Sequence, residues 1–140
     1  MRNLWEEKLV LLCMTVTAAV GQSVVDPFTP PKLTPAKDQL VLDLEHDPRA
    51  ELILECEGSQ PLVWWYPKGK GAGGPDIEER ISITTTTRLL ADNVSVWHSK
   101  LRLTNVHYLD TGYYECGYAN HESAQDVPKR AAIYLFARYL

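Results

Sequence analysis

Asp110-Thr111-Gly112-Tyr113-Tyr114-Glu115-Cys116 is the stretch on which the reading of this chain turns. Its two-residue alternation puts Gly112, Tyr114 and Cys116 on one side of a strand, with Tyr113 and Glu115 on the other. A tyrosine on the inward side can bury its ring only if its hydroxyl finds an acceptor. The backbone of the turn just before the strand is within reach. Gly112 allows the chain to make that corner.

Working outward, Trp97, Ser99, Leu101 and Leu103 share one face of the preceding strand, and Val106 follows in the turn leaving it. Leu101 and Leu103 are expected in the core. Of the three cysteines, Cys13 lies in an N-terminal segment read as removable, which leaves Cys56 and Cys116 as one pair 60 residues apart. Leu52, Leu54 and Cys56 form one face of another alternating run. Immunoglobulin-like domains pack a tryptophan on this bridge, and either Trp64 or Trp65 supplies it, since adjacent strand residues face opposite sides. Trp64 is the choice, with Leu62 inward beside it and Val63 and Trp65 outward. An outward tryptophan is covered either by the domain's own loop or by a partner. Cysteine, tryptophan and Tyr-x-Cys in this order describe an immunoglobulin-like β-sandwich with one inter-sheet disulfide. Likeness to such domains implies an ion pair beneath the turn before the Tyr-x-Cys strand, between Asp110 and Arg80, with Arg88 the competitor.

The remaining runs agree. Strands are expected over 39–44, 50–56, 62–66, 80–86, 97–103, 113–118 and 131–136, about seven in all, with no helical stretch among them. Such a set makes an antiparallel all-β domain, placed over 38–137. Residues 138–140 follow as a C-terminal end. Four prolines between Asp26 and Lys37 mark 22–37 as a semi-extended leader.

Residues 1–21 read as a signal peptide: a charged head from Met1 to Lys8, an apolar run from Leu9 to Val20, and small residues at Ala19 and Gly21. The apolar run of 12 residues is short for a membrane span, which needs roughly 20. Without this segment, 12 basic and 16 acidic side chains remain, and the net charge stays at −4. That balance points away from nucleic acid and from anionic membrane surfaces.

No constellation here asks for catalysis, a metal or a cofactor. A thiolate nucleophile needs a free cysteine, which the bridge removes. His98, His107 and His121 match no zinc spacing. Gly69-Lys70-Gly71-Ala72-Gly73-Gly74 has the composition of a phosphate loop but not its Gly-Lys-Ser/Thr ending, and reads as a loop after the third strand. Thr84 to Thr87 read as strand edge. Asn93-Val94-Ser95 is a glycosylation acceptor triplet in a loop of an exported chain.

Three segments carry a closer resemblance: Leu52-Ile53-Leu54-Glu55-Cys56-Glu57-Gly58, Pro61-Leu62-Val63-Trp64-Trp65-Tyr66-Pro67 and Ala132-Ile133-Tyr134-Leu135-Phe136. The short gap of eight residues from Cys56 to Trp64, with Pro67 three residues later, resembles the first immunoglobulin domain of the platelet-derived and vascular endothelial growth factor receptor tyrosine kinases. The resemblance implies an extracellular receptor domain engaged in protein–protein recognition, whose partner is a dimeric cystine-knot growth factor or a receptor. It carries over no ligand-contact residue. The chain stops at Ala137-Arg138-Tyr139-Leu140, directly after the last strand, and includes no kinase. A receptor piece, a secreted single-domain decoy and a cell-adhesion immunoglobulin protein are the readings this leaves open.

Overall fold

A computed structural model describes residues 29–68, 76–119 and 130–139. Two four-stranded sheets face each other. The first has the order β1-β3-β6-β5, from β1 (Lys32–Thr34), β3 (Leu52–Gly58), β6 (Ser95–Leu103) and β5 (Ile81–Leu89). The second has the order β2-β8-β7-β4, from β2 (Gln39–Asp43), β8 (Ala131–Arg138), β7 (Gly112–Tyr118) and β4 (Leu62–Trp65). This is the immunoglobulin-like sandwich the sequence predicts. The signal segment, the glycine-rich 69–74 stretch and His121 lie outside the described residues.

Alternation builds the core. Leu52, Leu54 and Cys56 of β3 and Leu101 and Leu103 of β6 are almost wholly buried. Across from them stand Tyr114, Cys116, Ile133, Leu135 and Trp64. Val106 closes the same cluster from the turn, while Leu62 packs against it half-buried.

Three expectations need correction. The proline-rich 22–37 segment is not all leader: Lys32–Thr34 pair antiparallel with Glu55–Glu57 at a sheet edge. Pro31 and Pro35 flank that strand, and prolines are tolerated beside an edge strand whose outer donors face solvent. The domain therefore begins before residue 38. Second, β2 runs parallel to β8, against the antiparallel rule of every other pair. The chain passes from one sheet to the other between β1 and β2 without reversing, so its second half meets the last strand in the same direction. Third, Arg80 does not start a strand. It ends a one-turn helix, α1 (Ile77–Arg80), capped by Asp76 accepting from the Glu78 amide at 3.1 Å.

Candidate functional site

Between the sheets, Cys56 and Cys116 form the expected disulfide, with Cα atoms 6.5 Å apart. Trp64 lies opposite Cys116 in the β4–β7 register, and Ser99 lies opposite Cys56 in the β3–β6 register. The Trp64 indole N–H donates to the Ser99 hydroxyl at 2.8 Å, which in turn bonds the Thr85 hydroxyl at 3.0 Å. An indole in an apolar interior needs that partner. Sequence reading placed Ser99 inward without its role; a small hydroxyl in register with the cysteine was the available signal.

At the end of β7, the Tyr114 hydroxyl donates to the Asp110 carbonyl oxygen at 2.7 Å. Burial pushes the Tyr114 phenol well above its ordinary range, so it remains a donor. The Asp110 carboxylate accepts two bonds from Arg80, each 2.7 Å, and one from the His107 amide at 2.7 Å. Arg80 also donates to the Asn105 carbonyl oxygen at 2.8 Å. Its hydrogen bonds to Asp110 hold the guanidinium above even its usual high value, against the burial that opposes charge. The competitor Arg88 stands instead 3.5 Å from Glu57. Gly112 sits at φ +153°, and a Cβ there would come within 2.7 Å of the Pro67 ring.

The two outer faces differ in chemistry. On the first sheet, charges pair across strands: Glu51 with Arg102 at 2.7 Å, Glu55 with His98 at 3.7 Å, and Glu57 with Arg88. Glu57, Thr86, Arg88, Val96 and His98 line a shallow depression of 340 Å³ there. Its walls are charged and open, which suits water better than a small apolar ligand. His107 is absorbed structurally, its Nδ1 accepting from the Leu109 amide at 3.2 Å. No group of three metal-ligating side chains occurs among the described residues.

The outer face of the second sheet is aromatic. Register and alternation bring Val41, Val63, Trp65, Tyr113, Ala132, Tyr134 and Phe136 to one side. Tyr113 and Val41 are 63% and 48% exposed. The Tyr113 and Tyr134 rings meet edge to face at 4.9 Å, and Tyr134 lies 6.5 Å from Phe136. Trp65 is outward as expected. Its ring lies across Gly117, where a Cβ would approach it to 2.9 Å, and the Arg130 guanidinium stacks 3.5 Å from the ring centroid. Arg130 also reaches Glu115 at 3.6 Å. The domain's own arginine therefore covers part of Trp65, while Tyr113 stays open to solvent.

The family model described as VEGFR1-3, N-terminal Ig-like domain, matches residues 29–139. The chain belongs to this family. It is an immunoglobulin-like, non-catalytic domain of the vascular endothelial growth factor receptor type, and the match begins nine residues before the boundary expected at 38, in keeping with the pairing of β1. Among relatives of this receptor family, the chain is 31% identical to platelet-derived growth factor receptor beta of the dog (Canis lupus familiaris) over 128 residues, covering 91% of the chain and 9% of that receptor. It is 28% identical to vascular endothelial growth factor receptor 3 of the mouse (Mus musculus) over 118 residues, 79% of the chain and 8% of the receptor. Mouse vascular endothelial growth factor receptor 2 is 28% identical over 126 residues, 90% and 8% respectively. The chain thus spans less than a tenth of the length of these receptors.

Proposed function

We propose that this domain is an extracellular recognition module of a growth factor receptor of this family, and that the outer face of the β2-β8-β7-β4 sheet contacts a protein partner. The partner chemistry that fits is a dimeric cystine-knot growth factor or another receptor chain. The aromatic set of solvent-open Tyr113 with half-buried Tyr134 and Phe136 carries the reading: tyrosine and phenylalanine are enriched at protein interfaces, and Tyr113, paired edge to face with Tyr134, presents most of its side chain to solvent on this face. Among the described residues no helix is long and apolar enough to cross a membrane.

The test is binding of the chain, secreted from cultured cells, to immobilised platelet-derived and vascular endothelial growth factors and to receptor ectodomains. Tyr113→Ala together with Tyr134→Ala is expected to weaken association at least tenfold without unfolding the domain. Unchanged affinity in that variant would move the contact to another surface. No association of the wild-type chain with any of these probes would remove the proposal.

A further inference from the structure

The β5–β6 hairpin overshoots the sheet that supports it. The β3–β6 ladder ends at Gly58 opposite Trp97, whereas β5 and β6 continue to pair through Arg88 with Val96 and Leu89 with Ser95. Beyond Trp97 the hairpin is a two-stranded ribbon, an arrangement of marginal stability by itself. Its tip is apolar and open: Leu89 is 67% exposed, Leu90 43% and Val94 37%. The turn is nevertheless well defined, with the Leu90 amide donating to the Val94 carbonyl at 2.9 Å and the Asn93 amide to the Leu90 carbonyl at 3.1 Å. Asn93 stands in that turn at φ +59°, a left-handed conformation asparagine tolerates better than most residues, and it is exposed. Along the outer edge, Ser82 to Leu89 of β5 are exposed throughout, and among the described strands β5 is an edge of its sheet, of the kind that invites pairing with another chain.

We infer that Asn93 carries an N-linked oligosaccharide whose inner sugars lie over Leu89, Leu90 and Val94, shielding the apolar tip and the adjoining end of the β5 edge. Asn93-Val94-Ser95 is the one acceptor triplet in the chain, and it falls at a hairpin tip where three apolar side chains stand in solvent. In the transfer, the Asn93 carboxamide nitrogen attacks the anomeric carbon of a lipid-pyrophosphate-linked oligosaccharide. The nitrogen–carbon bond forms, the anomeric carbon–oxygen bond breaks, the lipid pyrophosphate leaves with the electron pair, and the amide proton is lost to base. Sugar rings present both hydroxyls and C–H faces, so they cover aliphatic surface while keeping the outside wet. The glycan sits on the sheet opposite the aromatic face and leaves that face free.

The inference rests on the extracellular reading above, so the experiment separates the two. The full chain is secreted from cultured mammalian cells, once with its own N-terminus and once behind a heterologous export leader. Intact mass is then measured before and after peptide N-glycosidase. Wild type and Ser95→Thr are expected to carry one N-glycan, released with Asn93→Asp conversion; Ser95→Ala is expected to carry none while keeping its folded far-ultraviolet spectrum. Folded Ser95→Ala is expected to bind a hydrophobic dye severalfold more strongly than wild type. Adding Leu89→Ser and Leu90→Ser is expected to abolish that rise. Glycosylation of the heterologously led copy alone sinks the export reading and supports the glycan. An unmodified Asn93 in both secreted forms, or equal dye binding with and without the glycan, overturns the inference.

Discussion

The centre of the sandwich and the outer face of its second sheet use the same side-chain types to different ends. Inside, Trp64, Tyr114 and Arg80 each have their polar atoms engaged, by Ser99, by the Asp110 carbonyl and by the Asp110 carboxylate. Outside, Trp65, Tyr113 and Tyr134 touch one another or a stacked arginine, and Tyr113 remains 63% exposed. An aromatic ring whose polar atom is tied down inside the domain stabilises the fold. One left at the surface adds little to folding and is available to a partner. The contrast predicts that substitutions in the first set cost stability and those in the second cost binding.

The largest effect is expected at the bridge. Cys116→Ser opens a loop closed over a separation of 60 residues, worth about 4 kcal/mol in the chain-entropy view. Such a loss takes a large share of the net stability of a small domain. Secretion is expected to fall sharply, and wild-type levels of secreted variant would overturn the assignment of the bridge as the central strut. Next comes Asp110→Asn, which leaves the Arg80 guanidinium, 10% exposed, without its counter-charge. Arg80 keeps the Thr104 and Asn105 carbonyls, so the expected loss is about 2–3 kcal/mol, below the full cost of breaking a buried pair. Chemical denaturation checks it; an unchanged midpoint would make the pair ornamental.

Tyr113→Ala sharpens the comparison from the other side. With its side chain mostly in water and only its edge-to-face pairing with Tyr134 to lose, the change is expected to cost no more than about 1 kcal/mol. A much larger loss would place Tyr113 with the structural set and weaken the aromatic face as a recognition surface.

How far each region could be read from sequence follows the same division. The central strut was legible because short-range periodicity and fixed spacings specify it: Tyr114 two residues before Cys116, Trp64 eight after Cys56, Asp110 at the corner. The Arg80–Asp110 pair was anticipated as well, although the one-turn helix that ends at Arg80 was not, since four residues leave almost no periodic signal. Strand β1 was hidden among prolines, whose local preference argues against a strand until a neighbouring edge supplies the pairing. The aromatic face was illegible as a unit. Tyr113 comes from β7 and Tyr134 and Phe136 from β8, and only the register of the two strands, which sequence does not specify, sets Tyr113 opposite Tyr134. Arg130 over Trp65 had no local signature either, because the stacking exists only once β4 and β8 lie on either side of β7.

The smallest effect is expected on the remaining exterior, the charge-paired face of the first sheet. Hydrogen bonding from Arg102 holds the Glu51 carboxyl below its ordinary value. A carboxyl lowered on folding stabilises the native state above its unfolded pKa, and that contribution is lost as pH falls through the lowered folded value. Both partners are solvent-exposed and screened, so Glu51→Gln is expected to shift the neutral-pH Tm only slightly, and the difference from wild type is expected to vanish in acid. Thermal melts across that acid range give the comparison directly. A large neutral-pH loss would mean that the first sheet's outer charges brace the fold as the interior does, and the division between a braced interior and an exterior free for recognition would no longer hold.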